Sequence, residues 1–320
     1  MSPADHVTTT QIGSTQVTRV VEWLGPVSTT DVLFSSIEEA TWEREASWLH
    51  PIFTDRASRA YRCAIQTWVL RTAGMTVLVD TGIGNDRRRP QVPQFAGLSS
   101  DFPARLAAAG VAPEEVDVVV NTHVHYDHVG WNTRRDEAAS IDDHDAWVPT
   151  FPNATYLVPA ADVDHFRPEN AARMRPATTE EEERRFEGAA LVFADSIAPI
   201  EATGQLQPWS GAHDLAGMLH LRPAPGHTPG SSVLWLDDGP GAVFAGDLLH
   251  TPAQILDPSA SCAFDLDADA ARASRRAVLK RAATTGATVV PAHLPGHGGA
   301  SVRAGRDGFA VERWLDLPEV

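Results

Sequence analysis

The chain of 320 residues has only two cysteines, Cys63 and Cys262. Small secreted domains that cannot build a sufficient core depend on several disulfides, and two cysteines cannot supply such a framework. One bridge between them is the alternative, but two buried free thiols are the preferred interpretation. The sequence therefore gives no sign of a disulfide scaffold.

Positive charge is also scarce. Lysine and arginine together number 26, against 42 aspartates and glutamates, which gives a formal net charge of −16. Proteins that bind nucleic acids or anionic membranes through charge present a basic face. We therefore expect neither kind of partner, and we expect the substrate to be a small molecule.

Long apolar runs are absent as well. No stretch of the sequence approaches the roughly 18 apolar residues that a membrane-spanning helix needs. The first twenty residues are polar and lack the apolar core of a secretory signal. These two absences predict a soluble, cytoplasmic protein. The composition, 43% hydrophobic and 21% charged, is that of an ordinary folded chain.

One motif, at residues 121–130, carries most of the functional information. It reads N-T-H-V-H-Y-D-H-V-G and follows an apolar, β-branched run at 116–120 that predicts a buried strand. Imidazole and carboxylate groups suit zinc or a similar divalent metal. Four such groups so close in sequence cannot easily converge on one ion, so the pattern favours two. They are His123, His125, Asp127 and His128.

Three later positions complete a candidate metal site. His227 lies in A-P-G-H-T-P-G at 224–230, where prolines and glycines favour a tight loop. Asp247 follows the apolar run 242–245, and its carboxylate has two oxygens with which to bridge two cations. His293 follows the run 289–292, again at the end of a predicted buried strand.

Predicted strands and helices alternate along the chain without a clear linker. Helices are predicted at 36–48, 100–109 and 267–285, with a shorter one that Thr179 opens and Gly188 ends. Strands are predicted at 16–23, 64–71, 75–80, 116–120, 154–159, 219–222, 232–236, 242–245 and 288–291. This order predicts one α/β domain over residues 1–320, with helices layered on sheets.

The ordered ligand set resembles that of the metallo-β-lactamase superfamily. The resemblance covers residues 64–300 and includes H-x-H-x-D-H, G-H-T-P-G, G-D and a histidine after a final strand. It implies an αββα four-layer sandwich with the metals at one edge of the two sheets. It also implies that one ion takes His123, His125 and His227, the other takes Asp127, His128 and His293, and Asp247 bridges them.

The resemblance gives Asp80 a supporting role. This aspartate ends an early predicted strand, and it is expected to accept a hydrogen bond from a ligand imidazole and so fix the tautomer. A carboxylate that caps a turn is the alternative for Asp80.

The implied chemistry is hydrolysis with two divalent ions. A water shared by two ions has a lowered pKa and yields hydroxide near neutral pH. We expect this bridging hydroxide to attack an ester-like centre in a lactone, a carboxylic ester or a phosphotriester. Asp127 is expected to orient the hydroxide or to pass a proton. Zinc is the expected metal, and iron, manganese and cobalt fit similar ligands.

Several other functions compete with this expectation. A thioester hydrolase or a β-lactam hydrolase would use the same fold. A non-enzymatic metal-binding protein would typically have lost ligands, and none is lost here. A nuclease of this fold would need a basic surface, which the net charge of −16 opposes.

His250 distinguishes two branches of the superfamily. N-acyl-homoserine lactonases typically carry a tyrosine three residues after the bridging aspartate, whereas this chain has His250 there. In this respect it is more similar to the methyl-parathion-hydrolase-like branch. We interpret His250 as a catalytic hydrogen-bond donor to a substrate oxygen, with a purely structural histidine as the alternative.

Several further features have open interpretations. An N-terminal extension at about 26–60 is expected to cover the site, and its aromatic segment 42–53 would bind an apolar group, pack in the core or form a dimer interface. A homodimer is expected from the family. His297 is an alternative to His293 as a ligand, and the basic residues 87–89 are a candidate contact for an acidic substrate. Trp131 and Asn132 either shape the pocket or pack beneath it.

Overall fold

Two seven-stranded sheets form the centre of the structure. The computed structural model describes residues 2–139, 146–173, 177–305 and 308–319, and within these ranges it contains sixteen strands. In chain order they are β1 (Val7–Ile12), β2 (Thr15–Thr29), β3 (Ala60–Thr72), β4 (Met75–Val79), β5 (Val118–Val120), β6 (Thr133–Arg135), β7 (Trp147–Pro149), β8 (Thr155–Pro159), β9 (Leu206–Trp209), β10 (His213–Leu215), β11 (Leu219–Pro223), β12 (Ser232–Leu236), β13 (Ala242–Gly246), β14 (Thr288–Pro291), β15 (Ala300–Ala304) and β16 (Phe309–Trp314).

Each sheet joins antiparallel strands to a parallel pair or run. The first sheet has the order β1-β2-β3-β4-β5-β8-β9, antiparallel as far as β4 and parallel from β4 to β9. The second runs β10-β11-β12-β13-β14-β15-β16, and only its β13–β14 pair is parallel. Strands β6 and β7 pair separately.

Nine α-helices accompany the sheets in the described part of the chain. They are α1 (Thr30–Leu33), α2 (Glu39–Arg44), α3 (Ala46–Leu49), α4 (Phe102–Ala108), α5 (Ala160–Phe166), α6 (Glu180–Val192), α7 (Ala198–Ala202), α8 (Ala253–Leu256) and α9 (Ala268–Thr285). A π-helical turn, Phe193–Ile197, joins α6 to α7. Among the residues that the structure describes, none of the helices combines the length and the apolar character of a membrane-spanning segment.

Side-chain alternation along the strands builds the layers. In β5, Val119 packs in a core with Phe102 and Leu106 of α4, while Val118 and Val120 face the other sheet. In β12, the even-numbered leucines point into this inter-sheet core, and the odd-numbered Val233 and Trp235 pack with residues of α9. Period-two alternation with both faces covered gives the helix–sheet–sheet–helix order. The predicted αββα sandwich is confirmed.

Two predicted helices have different bounds in the structure. The helix predicted at 36–48 is two shorter helices, α2 and α3. The helix opened by Thr179 does not end at Gly188 but continues to Val192. A Cβ on Gly188 would lie 2.0 Å from Oε1 of Gln91, so this glycine serves close packing between the helix and a loop. The prediction that Gly188 ends the helix was therefore wrong.

The sequence patterns did not predict several short strands. The prediction for the two cysteines is confirmed. Strands β1, β6, β7, β9, β10, β15 and β16 have no counterpart among the predicted strands. The two cysteines are buried and free, as expected. That one domain spans residues 1–320 stays a prediction.

Candidate metal centre

The candidate ligands meet at one edge of the sandwich because two parallel strand pairs end there. Strands β4 and β5 are parallel in the first sheet, and β13 and β14 are parallel in the second. Asp80 follows β4, Asp247 follows β13 and His293 lies two residues after β14. Carboxyl ends of parallel strands share an edge, which is where α/β sheets place their ligands.

Gly246 allows the two sheets to come close at this edge. Its φ is 51°, and a Cβ there would lie 2.8 Å from Oγ1 of Thr122. A side chain at this position would therefore be strained and would press on the loop that holds the histidine motif. This explains the glycine that precedes Asp247 in the sequence.

One group of ligands contains three imidazoles and Asp247. His125 Nδ1 lies 3.0 Å from Nε2 of His123 and 3.0 Å from Nε2 of His227. Oδ2 of Asp247 is 3.2 Å from His227 Nε2 and 3.8 Å from His123 Nε2. The four ligand atoms lie within 4.8 Å of one another, so the group could hold a metal ion.

A second group contains Asp127, His128 and His293. Nε2 of His128 and Nε2 of His293 are 3.1 Å apart, and Oδ2 of Asp127 is 3.4 Å from His293 Nε2. These three ligand atoms also lie within 4.8 Å of one another. His128 and His293 are buried, while the Asp127 side chain is 11% exposed.

Asp247 lies between the two groups. Its Oδ1 is 3.2 Å from His128 Nε2 and 3.0 Å from His293 Nε2, whereas Oδ2 faces His227 of the other group. Each carboxylate oxygen therefore faces a different cluster of imidazoles. The seven predicted ligands are all brought together, in the grouping that the family resemblance implies.

Partners behind the imidazoles set which ring nitrogen faces the centre. His293 Nδ1 donates to the carbonyl of Ala64 at 3.0 Å, since a carbonyl can only accept. His128 Nδ1 lies 2.9 Å from Oδ2 of Asp80. A protonated Nδ1 leaves the Nε2 lone pair free to bind a metal. Asp80 thus occupies the place predicted for it behind a ligand imidazole.

The pKa values of the ligand imidazoles shift in two opposite directions. Burial, reinforced by neighbouring imidazoles, lowers the pKa of His123 and His125 well below the usual value. Burial also opposes the charged form of His128 and His227, but the Asp247 carboxylate beside them outweighs it. Their pKa values are raised to about 10 and about 9. Unless a cation occupies the centre, protons on these rings balance the buried carboxylate.

Sequence reasoning missed a second carboxylate behind the ligands. Asp265 Oδ1 lies 3.3 Å from Nδ1 of His227, and its other oxygen is 3.5 Å from the guanidinium of Arg275. Arg275 is fully buried and also donates to the carbonyl of Leu248 at 2.7 Å. The only sequence signal was an aspartate that closes the short segment C-A-F-D before a helix, which is not specific.

The ring of His250 lies next to the ligand groups but forms no hydrogen bond to the described residues. Its Nε2 is 3.2 Å from Oδ2 of Asp247, yet neither ring nitrogen has a partner with hydrogen-bond geometry among the described residues. The backbone is held instead, because the Tyr61 hydroxyl donates to the His250 carbonyl at 2.7 Å. The ring is 97% buried and lies next to Phe34 and Phe264.

Aromatic residues of the segment 42–53 pack inward. Trp42 and Phe53 are buried in a core that also contains Phe34 and Tyr61. Trp48 packs on Trp314 of β16, with ring centroids 5.8 Å apart. Of the described N-terminal extension, Phe34 brings an aromatic ring next to His250, with centroids 6.5 Å apart. Core packing, one of the alternatives from the sequence, describes the 42–53 aromatics best.

Several other candidates lie elsewhere. His297 stacks on Trp314 and bonds the Leu317 carbonyl at 2.7 Å, away from the ligand groups. Arg87 and Arg89 are buried and ion-paired with Asp195, so they are not the contact for an acidic substrate that residues 87–89 suggested. An unpaired charge inside the protein is costly, so each buried arginine stays paired with Asp195. The ion pairs thereby hold the loop of residues 87–89 in place.

Trp131 and Asn132 pack beneath the ligand loop. Trp131 stacks on Phe102 at 5.2 Å and donates from Nε1 to Glu22 at 2.7 Å. The Asn132 side chain exchanges hydrogen bonds with Asn121, at the start of the motif. The packing alternative for these two residues is therefore the better description.

Part of the chain is similar in sequence to a curated protein. The curated N-acyl homoserine lactonase AiiB of Agrobacterium fabrum (strain C58 / ATCC 33970) is 29% identical over 84 residues, 23% of this chain and 30% of that protein. The matched region therefore spans less than a third of that relative.

Solved structures match over almost the entire chain. The hydrolase AbOPH, described as a member of the β-lactamase superfamily, has a TM-score of 0.75 at 22% identity and covers 97% of both chains. AidC, described as a dizinc quorum-quenching lactonase with the product N-hexanoyl-L-homoserine, has a TM-score of 0.68 at 20% identity, over 98% of this chain and 97% of its own. At these identities the likeness establishes the fold.

The family assignment comes from the sequence model of the metallo-β-lactamase superfamily. That model matches residues 60–140 and 142–309, well over half of the chain. The matched region contains all seven candidate ligands as well as Asp80 and His250. The fold, the order of the ligands and the model agree: the chain belongs to the metallo-β-lactamase superfamily.

Proposed function

We propose that this chain is a hydrolase that uses two divalent ions to cleave an ester-like bond in a small molecule. The bond is that of a lactone, a carboxylic ester or a phosphotriester. The observation that carries the proposal is the position of Asp247, whose two oxygens face two separate clusters of imidazoles. A carboxylate so placed suits a bridge between two cations.

The residues present fit two such ions. Oδ1 of Asp247 has no hydrogen-bond partner among the described residues although it is buried. The facing imidazole nitrogens are 3.0–3.1 Å apart, a spacing at which their lone pairs repel unless a proton or a cation lies between them. Histidine and aspartate ligands favour zinc, with iron, manganese and cobalt compatible.

Bound ions of this kind lower the pKa of a shared water and polarise a carbonyl or phosphoryl oxygen. The protein's own contribution begins with Asp127, a largely buried carboxylate that lies 3.4 Å from Nε2 of His293. We assign Asp127 to accept a hydrogen bond from the attacking water and to pass its proton to the leaving oxygen. Cleavage then joins the water oxygen to the acyl or phosphoryl centre as the ester bond breaks.

His250 is assigned to hold the substrate oxygen. Burial lowers the pKa of this imidazole, although Asp247 opposes that shift, so the ring is neutral and retains one N–H to donate. Its ring nitrogens lack partners with hydrogen-bond geometry among the described residues, although Nε2 lies 3.2 Å from Oδ2 of Asp247, so an N–H is available for a substrate oxygen. A donor aimed at the developing oxyanion lowers the barrier to hydrolysis.

The surroundings support a partly apolar substrate. Phe264 is 47% exposed and its ring lies 6.0 Å from that of His250. Leu266 is 49% exposed, and its backbone N–H donates to the carbonyl of His227. Apolar side chains exposed beside a polar centre are typical of small-molecule sites. The descriptions of AiiB and AidC as lactonases support lactones within this class.

A hydrolysis panel on protein of measured metal content tests the proposal. It contains lactones of several ring sizes, aryl esters, phosphotriesters, thioesters and β-lactams. We expect turnover of at least one ester-like class and its loss in Asp247→Ala. Asp238→Ala is the matched control, because that aspartate lies in the β12–β13 turn at the opposite end of the strands. Cleavage of thioesters or β-lactams alone would refute the assignment.

A further inference from the structure

A third buried carboxylate joins two ligand loops. Asp162 is fully buried in the first turn of α5. Its Oδ2 accepts the backbone N–H of Val124 at 2.9 Å and the hydroxyl of Thr228 at 2.8 Å. Its Oδ1 accepts the backbone N–H of Gly230 at 2.6 Å. One side chain therefore satisfies three donors from two segments more than 100 residues apart.

Both segments carry ligands of the same metal group. Val124 separates His123 from His125, and Thr228 directly follows His227. These three histidines form the imidazole side of the first ligand group, with Nε2 atoms of two of them 3.0 Å from His125 Nδ1. The spacing between the two loops is therefore tied to one carboxylate.

The loop after His227 is shaped for this contact. A Cβ on Gly230 would lie 2.7 Å from both the backbone nitrogen and Oδ1 of Asp162. Any side chain at Gly230 would thus push the carboxylate away from its donors. The final glycine of G-H-T-P-G is explained by this close approach.

Asp80 and Asp162 hold the histidine motif from two sides. Asp80 Oδ1 accepts the N–H of Thr122 at 2.8 Å, and Asp162 accepts that of Val124, so the residues on both sides of His123 are fixed. Asp80 also contacts His128 of the second ligand group. The hydrogen bonds of Asp162 to described residues, by contrast, go to Val124, Thr228 and Gly230 in the loops of the first group.

We propose that Asp162 is a positioning residue for the ion held by His123, His125 and His227. Its carboxylate accepts from two backbone N–H groups and one hydroxyl rather than from a ligand nitrogen, and it acts by setting the distance between the two loops. The assignment rests on the proposed dinuclear site. Carboxylates behind metal ligands typically contribute 10- to 100-fold to metal affinity.

Metal titration separates this role from a general contribution to folding. Metal-free wild type and Asp162→Asn are titrated with Zn²⁺ against a chromophoric chelator, and with Co²⁺ followed by visible absorption. An amide group must direct an N–H at one of the three donors, so the loops separate. In Asp162→Asn we expect the ion held by His123, His125 and His227 to bind about 10- to 100-fold more weakly than in the wild type. The other ion should keep its affinity.

Asp238→Asn is the matched control. This carboxylate also accepts hydrogen bonds from two residues, Ser14 and Thr15, but lies far from the ligands along the strands. We expect the Asp238→Asn variant to bind both ions with the affinities of the wild type. Equal weakening in both variants, or wild-type affinity for both ions in Asp162→Asn, would overturn the proposal.

Thr228→Val provides a second variant if Asp162→Asn does not fold. It removes one of the three donors and keeps the side-chain shape, so a smaller loss at the same ion is expected; no loss would contradict the proposal. A wild type that binds two ions but hydrolyses nothing refutes the proposed function and leaves this assignment intact. A wild type that binds fewer than two ions refutes both.

Discussion

Asp80 Oδ2 lies 2.9 Å from Nδ1 of His128, and the same carboxylate accepts the N–H and hydroxyl of Thr122. Asp80 has a φ of 56°, an uncommon backbone conformation for a residue with a Cβ. Strain of this kind persists where the surrounding contacts determine it. The carboxylate thus fixes a ligand imidazole and the start of the histidine motif together.

We expect Asp80→Asn to weaken the binding of the ion held by the group that contains His128. The amide N–H₂ would face a donor, either Thr122 or the Nδ1–H of His128, and the ring would lose its orientation. The expected loss is about 10- to 100-fold in Zn²⁺ affinity, measured by competition with a chelator. Asp117→Asn is the control, because Asp117 accepts the N–H of Thr76 before β5, at the other end of the strand. Equal affinities in Asp80→Asn and wild type would exclude this role.

The ligands were predictable because each follows a recognisable local pattern. His293 and Asp247 end apolar runs, and His227 lies in a loop of prolines and glycines. Local periodicity marks such strand ends, and the family resemblance supplies the grouping. The sandwich followed from the same alternation of strands and helices, although the short edge strands β1 and β16 lacked a clear pattern.

The supporting carboxylates could not be predicted in this way. Asp162 and Thr228 are 66 residues apart in sequence, and Asp265 is 38 residues from His227. An aspartate in a first helical turn, such as Asp162, is usually explained by the helix dipole alone. Only the folded chain shows which buried donors such a carboxylate satisfies. The same reason explains why Gly188 was taken for a helix end.

Removal of metal is expected to lower the stability of the fold. The centre concentrates buried carboxylates whose charge two cations would balance, and an ion at 1,000 times its Kd adds about 4 kcal/mol to the free energy of unfolding. A chelator should therefore lower the Tm of the wild type by several degrees. Asp247→Ala should show a smaller shift. An unchanged Tm in wild type on chelation would argue against tightly held ions.

Glu22 gives a stability prediction away from the ligands. This buried carboxylate accepts the N–H of Ile83 at 2.6 Å, the Nε1–H of Trp131 at 2.7 Å and the hydroxyl of Ser100 at 3.0 Å. In Glu22→Gln the amide N–H₂ must face one of these donors. We expect the free energy of unfolding to fall by about 1–3 kcal/mol in chemical denaturation.

Ser100→Ala is the matched comparison for Glu22→Gln. It removes one donor and leaves the carboxylate with its two stronger contacts, so a loss of about 0.5–1.5 kcal/mol is expected. Glu22→Gln with the stability of the wild type would mean that these contacts contribute nothing net. Metal content should stay the same in both variants, because neither residue contacts a ligand.

The role of His250 can be separated from metal binding. His250→Phe keeps a ring among Phe34 and Phe264 but removes both nitrogens, whereas His250→Gln keeps an N–H donor. If His250 donates to the substrate oxygen, the Phe variant should lose about 100-fold in kcat/KM at unchanged metal content. The Gln variant should retain part of the activity. His220→Phe, a substitution in β11 away from the centre, should match the wild type.

Two results would redirect the interpretation of His250. Loss of one metal equivalent in His250→Phe would make the imidazole a ligand, in line with the 3.2 Å between its Nε2 and Oδ2 of Asp247. Unchanged kinetics and metal content would make it a structural histidine, held through its carbonyl by the Tyr61 hydroxyl. Metal analysis and steady-state rates on the same preparations distinguish the three roles, because each predicts a different pair of outcomes.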